Sequence, residues 1–424
     1  VRGFVEGAYE LVYLAPEALD GRLRSAVLRA PLSLLVVDEA HCISHWGHDF
    51  RPAYRRLRGL KEELGDVPVL ALTATATRRV ARDILRQLGM RKPEGYKGSF
   101  FRPNLRIHVR KKGRGGNTRR EILALVRARD GKSGIVYCLS RRGVESTAEY
   151  LSDRGVRALP YHAGMSDEER ARHQEAFQRD DADVIVATIA FGMGIDKPDV
   201  RFVVHRDMPK DVESWYQEMG RAGRDGLPTD CFLFYSWADV KLHERFLRGV
   251  DDPELRRRKK GATRRLFRMV EAGGCRHRAI LAHFDEERDP CGDACDVCRG
   301  VTVEEMAAEA MVGGSGGGAG ALRSTALGTG RAGPSPARSR ARGSAEGRPS
   351  REERALFERL RALRKRLADE RDVPAYIVFS DKVLWEISRR RPSTPGELLR
   401  VSGVGPVKLE RYGEAFLEAV GEAP

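Results

Sequence analysis

With 424 residues, the chain is too long for one hydrophobic core and divides into two to four domains. Hydrophobic residues at 41% suit globular domains, and no run approaches the roughly 18 apolar residues of a membrane span, nor does a secretory signal open the chain. The net charge of +15 points to a polyanionic partner, nucleic acid first, although an arginine-rich composition from a GC-rich genome gives the same balance.

Val1 opens the chain, and Leu11 to Leu14 already reads as the middle of a domain, so a missing beginning is expected. The apolar runs Leu34-Leu35-Val36-Val37 and Val67 to Leu72 have strand length, and Tyr54 to Leu64 between them is helical in pattern. After a polar break at Lys111 to Asn117 the rhythm resumes. Gly134 to Cys138, Asp183 to Ala187 and Val200 to Val204 are predicted strands, with a helix over Ser166 to Gln178. Buried runs alternating with helices predict parallel sheets, hence two α/β domains in tandem. From Asp251 the chain turns helical and basic (Arg256-Arg257-Arg258-Lys259-Lys260). After a short helical stretch at Thr302 to Met311, residues 312 to 350 are mostly Gly, Ser, Ala, Pro and Arg and read as a flexible linker. Leu356, Leu360, Leu363 and Leu367 then recur at helical spacing and open a compact C-terminal module.

Asp38-Glu39-Ala40-His41 follows the first apolar run. A strand that delivers an Asp to its C-terminal edge can hold Mg²⁺ on a nucleotide, and an adjacent Glu can polarise water. A strand ending in a solvated acidic turn is the plainer reading of those four residues. Their continuation, Cys42 to Pro52, carries His45, Trp46, His48, Phe50 and Arg51, which can stack on bases and sense phosphates. Four of the seven cysteines, Cys275, Cys291, Cys295 and Cys298, cluster with spacing suited to tetrahedral Zn²⁺. Cys42, Cys138 and Cys231 read as small buried hydrophobes. His277 and His283 fall on a helix and are expected to face solvent or DNA.

These residues resemble the acidic motif and aromatic-rich loop of RecQ-family helicases, with His45 where Gln is common. Thr73-Ala74-Thr75-Ala76-Thr77, Ser99 to Leu105, Tyr161 to Met165, Ala187 to Asp196 and Gln217 to Gly226 resemble further motifs of that family in order. The segments Val373 to Asp381 and Val401 to Lys408 resemble its HRDC domain. The resemblance implies two tandem RecA-like domains, the first incomplete, a zinc-bound helical subdomain, a flexible linker and an all-α HRDC bundle. The corresponding divisions are 1–105, 106–250, 251–300, 301–350 and 351–424.

In function, the resemblance implies an ATP-dependent 3′–5′ DNA helicase of repair and recombination, using ATP, Mg²⁺ and Zn²⁺. Asp38, Glu39, His41, Gln217, Arg221 and Arg224 are the expected catalytic residues, and Gly194 and Asp196 join Asp38, Glu39, Arg221 and Arg224 around the nucleotide. Trp46, His48, Phe50, Arg51, Thr75, Arg102 and Lys408 are the expected DNA contacts. Single-stranded, tailed or forked DNA is the expected partner, with a single-strand-binding protein as a further one. The protein is expected to be a monomer, cytoplasmic and nucleoid-associated, without membrane contact. No stretch fits Gly-x-x-x-x-Gly-Lys-Ser/Thr, the phosphate-cradling loop, and the family's winged-helix domain looks deleted after the cysteine cluster. The chain as given is therefore expected to hydrolyse little ATP. An ATP-independent DNA-binding or strand-annealing protein is the alternative, with an RNA helicase ranked last.

Overall fold

The computed structural model describes residues 1–424 except 20, 48, 66, 114–115, 193–194, 314–348 and 423–424. In the N-terminal unit, strands β1 (Leu35–Val37) and β2 (Val69–Ala71) pair in parallel. Val27, Val37, Ile43, Leu57, Val80 and Ile84 form its core. Val36, Leu70 and Leu72 point the other way and stay exposed. The apolar runs thus bury one face here rather than two, because no described residue packs on the second. The helix predicted over Tyr54 to Leu64 is split into a 3₁₀ turn, Pro52–Leu57, and a short helix, Leu60–Leu64. Gly59 at φ +72° separates them, a conformation open to glycine at little cost.

The second unit is a six-stranded parallel sheet: β3 (Leu105–Lys111), β4 (Ser133–Tyr137), β5 (Ala158–Tyr161), β6 (Val184–Ala187), β7 (Val200–His205) and β8 (Thr229–Tyr235). Their order is β3-β8-β7-β4-β6-β5, and helices cover both faces. The helix Asp167–Gln178 starts with a capping box in which Ser166 and Glu169 satisfy each other's backbone N–H. β3, β5 and β8 are absent from the strands predicted above. β3 begins at Leu105, so the strand spans the division expected after residue 105.

A cysteine-bearing platform continues this unit rather than standing apart. Helices Pro253–Glu271 and Arg276–His283 bury Leu266, Val270, Ile280 and Phe284 in the same core as Trp215 and Met219. The Ile107 N–H donates to Ala294 O at 3.0 Å, so the platform also extends the edge of β3. The helix Val303–Gly313, expected to lead only into a linker, buries Val303 and Ala307 beside Ile122 and Phe232. It belongs to the second unit because its apolar face completes that core. The predicted linker lies largely outside the described residues. The C-terminal module is a separate helical bundle with Leu360, Phe379, Leu384 and Phe416 at its centre. No helix among the described residues is long and apolar enough to cross a membrane.

Candidate nucleotide cleft and nucleic-acid interface

β1 delivers Asp38 and Glu39 at its C-terminal end, where the chain must turn sharply. Glu39 sits at φ +47°, and Asp38 Oδ1 accepts from its N–H at 2.8 Å. Asp38 is exposed, while Glu39 Oε2 lies 3.2 Å from Nδ1 of buried His41. His41 Nδ1 also lies 3.0 Å from Thr73 Oγ1, which ties the acidic turn to the end of β2.

Beyond that strand end, Thr75 is buried and accepts a 2.9 Å hydrogen bond from Gln217 Nε2. This bond crosses between the two α/β units. Thr75, expected to touch DNA, therefore faces the other unit, and Gln217 has its amide at the junction.

Arg221 donates to Gly192 O, and Arg224 Nη1 donates to Asp196 Oδ1 at 2.7 Å. Arg102, expected at DNA, instead donates to three carbonyls of the same loop, Gly220 O at 2.9 Å, Ala222 O at 2.9 Å and Gly223 O at 2.6 Å. Burial lowers its pKa, and those carbonyls, not a phosphate, absorb its donors. Gly223 is required here, since a Cβ would come within 2.6 Å of Asn104 Nδ2 and of Thr229 Oγ1. Gly194 and His48 lie outside the described residues.

The aromatic loop closes on itself. Ser44 Oγ donates to Asp83 Oδ2 at 2.6 Å, and His45 stacks on Phe50 with centroids 4.1 Å apart. A Cβ on Gly47 would meet His41 O at 2.4 Å, so the turn there demands glycine. Arg51 pairs with Asp49 at 2.9 Å. Two guanidinium groups lie over the Trp46 ring, with Cζ of Arg79 at 3.1 Å and Cζ of Arg258 at 4.2 Å from its centroid.

Trp46 and Phe50 line a cavity of about 570 Å³ together with Arg79, Lys210, Arg258 and Lys259. Burial lowers the pKa of His45, and the cations Arg55, Arg58 and Arg258 add to that effect. Asp207, Asp211, Glu213 and Glu218 line the same cavity, so it carries both signs of charge, and its cations and aromatic walls can hold an anionic strand whose bases stack. Arg79, Lys210 and Lys259 were not among the expected contacts. The only sequence signal for any of them was the basic run at Arg256 to Lys260. Lys408 instead places Nζ 5.5 Å from the Phe379 ring in the C-terminal bundle, where burial lowers its pKa.

The four clustered thiols lie within 4.8 Å of one another. Zn–S bonds of about 2.3 Å in a tetrahedron put sulfurs about 3.8 Å apart, so the set fits zinc after a small contraction. Cys275 and Cys295 each open a helix, and their sulfurs accept from the N–H of Cys291 at 3.3 Å and Cys298 at 3.5 Å. Outside the thiols, Arg276 Nε donates to Asp296 Oδ1 at 2.9 Å, while Asp296 Oδ2 accepts from Val109 N at 3.0 Å. His277 does not face solvent or DNA: it is buried, with Nε2 2.9 Å from Leu105 O and 3.2 Å from Ala294 O. His283 pairs with Glu213 at 2.8 Å. The His277 ring is drawn inward because its helix packs against the second unit, whereas His283 is half-buried and lines the same cavity as Trp46.

Comparison with known proteins matches residues 2–84 to a DEAD/DEAH box helicase domain and 117–226 to a helicase conserved C-terminal domain. Residues 237–299 match the RecQ zinc-binding domain, and 353–420 the HRDC domain. ATP-dependent DNA helicase RecQ of Haemophilus influenzae is 35% identical over 497 positions, covering 99% of this chain and 80% of that protein. ATP-dependent DNA helicase RecQ of Bacillus subtilis is 36% identical over 489 positions, covering 99% and 82%. Both alignments are longer than the chain, so each relative carries residues without a counterpart here. RecQ-like DNA helicase BLM of Xenopus laevis is 42% identical over 313 positions, covering 69% of this chain and 23% of that protein.

Proposed function

The chain belongs to the RecQ family of ATP-dependent DNA helicases, and on that premise we propose that its groove at Trp46 grips single-stranded DNA for a 3′–5′ motor of repair and recombination. The observation that carries this reading is the contact of the Trp46 ring with both Arg79 of the first unit and Arg258 of the cysteine platform. A base stacked there would touch both bodies at once, so movement of one against the other would be felt by the strand.

For the nucleotide, Asp38 offers an exposed carboxylate of the hard-oxygen kind that Mg²⁺ takes. Bound ATP and Mg²⁺ would supply the phosphoanhydride and its charge neutralisation. The residues present would do the rest. Glu39 would position water, with His41 holding Glu39 and Thr73 in register. Arg221 and Arg224 would face the γ-phosphate from the second unit, and Gln217 would report closure to Thr75. The phosphate-cradling half of that site has no counterpart in these 424 residues, so the donor set fits in part. We infer that a polypeptide of these residues alone would hydrolyse ATP slowly.

In the platform, Cys275, Cys291, Cys295 and Cys298 would hold Zn²⁺ as a structural ion, fixing the helix that carries Arg258. DNA, not RNA, is the proposed strand. Competition between DNA and RNA oligonucleotides of one sequence, at matched salt, tests this. Tighter RNA binding overturns it. With a phosphate-loop-bearing α/β half fused ahead of Val1, unwinding of 3′-tailed but not 5′-tailed duplex tests the polarity.

A further inference from the structure

Among the described residues, the apolar core of the C-terminal bundle is separate from those of the motor. The bundle's contact with the second unit is a buried cluster of ions. Arg364 of the helix Arg351–Asp369 and Lys197 of the motor both have fully buried side chains. Lys197 Nζ lies 2.6 Å from Asp180 and 3.2 Å from Asp199. Arg364 donates to Asp381 Oδ1 at 2.9 Å within the bundle and lies 3.7 Å from Asp180 and 3.7 Å from Asp199 across the interface. Asp381 in turn lies 3.6 Å from Arg201.

A rim surrounds this centre. Lys365 pairs with Asp181 at 2.8 Å, Arg179 with Asp372 at 2.6 Å and Lys132 with Glu358 at 2.9 Å. The Lys132 ammonium also covers the Phe357 ring at 4.8 Å. Arg364 Nε and Nη2 and Asp199 Oδ1 have no hydrogen-bond partner among the described residues. A polar interface whose ions are incompletely hydrogen-bonded is specific in register yet weak enough to open.

The motor side of this contact is the back of the loop that carries Arg224. Arg201, which faces Asp381, is paired with Asp225. The Asp225 N–H donates to Pro198 O at 3.4 Å and the Gly223 N–H to Val200 O at 2.9 Å. Arg224 holds Asp196, one residue before Lys197. Burial, with Asp196 beside it, raises the pKa of the bundle's Tyr376. Residues 195–200 and 221–227 are thus laced together, and the bundle presses on both.

We propose that the bundle is a releasable latch, with Arg364 as a positioning residue that acts through Lys197, Asp199, Arg201 and Asp225 to fix the loop bearing Arg224. The catalytic meaning of that loop rests on the function proposed above, but the latch itself does not need it.

Two full-length variants test the latch. Arg364→Gln leaves Asp180 and Asp199 short of a cation. Lys365→Glu with Asp372→Arg reverses rim charges without touching either core. Small-angle scattering should show a larger radius of gyration for both. Hydrogen exchange in 195–200 and 221–227 should quicken by about tenfold or more, as expected for a locally opened segment, while β4 stays unchanged. Adding Asp181→Lys and Arg179→Glu to the rim variant should restore both readouts. An unchanged radius in the rim variant overturns the latch. So does release without faster exchange in the two loops, or failure of the restoring pair. Neither readout involves nucleotide, so a failed assignment of Arg224 to phosphate would show instead in hydrolysis by an Arg224→Ala chain.

Discussion

Replacing Trp46 by Ala separates stacking from charge in DNA binding. Stacking of a base on an aromatic side chain is worth about 1–3 kcal/mol. In the free protein, however, the Trp46 ring is already in contact with Arg79 and Arg258. A base must displace one of them, forfeiting a cation–π contact worth about 0.5–1 kcal/mol at a site only partly shielded from water. With mid-range values the net contribution is about 1.25 kcal/mol, and Trp46→Ala should weaken binding about eightfold. Trp46 touches no phosphate in this reading, so the slope of log affinity against log salt should not change. Arg258→Ala and Lys259→Ala should do the reverse, each flattening the slope by about 0.7 if it neutralises one phosphate of a single strand. Fluorescence anisotropy with a labelled oligonucleotide at five salt concentrations reads both quantities. Full affinity in Trp46→Ala, or a flattened slope in that variant, would refute the stacking argument.

Elemental analysis should find close to one zinc per chain, and Cys295→Ser should lower both metal content and soluble yield, because four thiolates at this spacing help fold the platform. The chain as given should show little DNA-stimulated ATPase, and robust turnover in a phosphate-release assay would contradict the reading of its cleft. Gln217→Ala should cost about 0.5–1.5 kcal/mol of contact between the two α/β units, seen as faster hydrogen exchange around Thr75 with DNA affinity retained. Burial alone would raise the pKa of Asp180, but Lys197 and Arg364 more than offset it and hold the group down at about 2. A depressed carboxylate contributes stability above its unfolded value near 3.8 and loses it as pH falls toward 2. With Asp199, Asp381 and the cations Lys197, Arg361 and Arg364 facing it, the bundle contact should loosen over that window. An Asp180→Asn chain should show a weaker dependence in scattering measured against pH, because the rim carboxylates Asp181, Asp372 and Glu358 still titrate.

Much of the fold was legible because buried parallel strands announce themselves as short continuous apolar runs. β4, β6 and β7 are of that kind. β3 was not, since Leu105-Arg106-Ile107-His108-Val109-Arg110-Lys111 is polar at every second residue or oftener. The structure accommodates it by pairing His108 with the remote Asp230 at 3.3 Å and Arg110 with Glu121 of the following helix at 3.0 Å. β5 is interrupted by Pro160 at the sheet edge, where a missing N–H is tolerated. The helix Val303–Gly313 looked like the start of a linker because its apolar face has no partner nearby in the chain.

The sequence alone determined the four-thiol cluster, the acidic strand end, the aromatic loop and the order of the motifs, because each is a local pattern whose chemistry depends on neighbours in the chain. Only the tertiary structure decided where the long cationic side chains go. Arg102 spends its donors on the carbonyls of residues 220–223, Arg258 covers a tryptophan more than two hundred residues away, and Arg364 is buried against a different unit. A guanidinium is indifferent between phosphate, carbonyl, carboxylate and aromatic face until folding brings one of them within reach and removes the water. That choice is a property of distances, which no local spacing encodes.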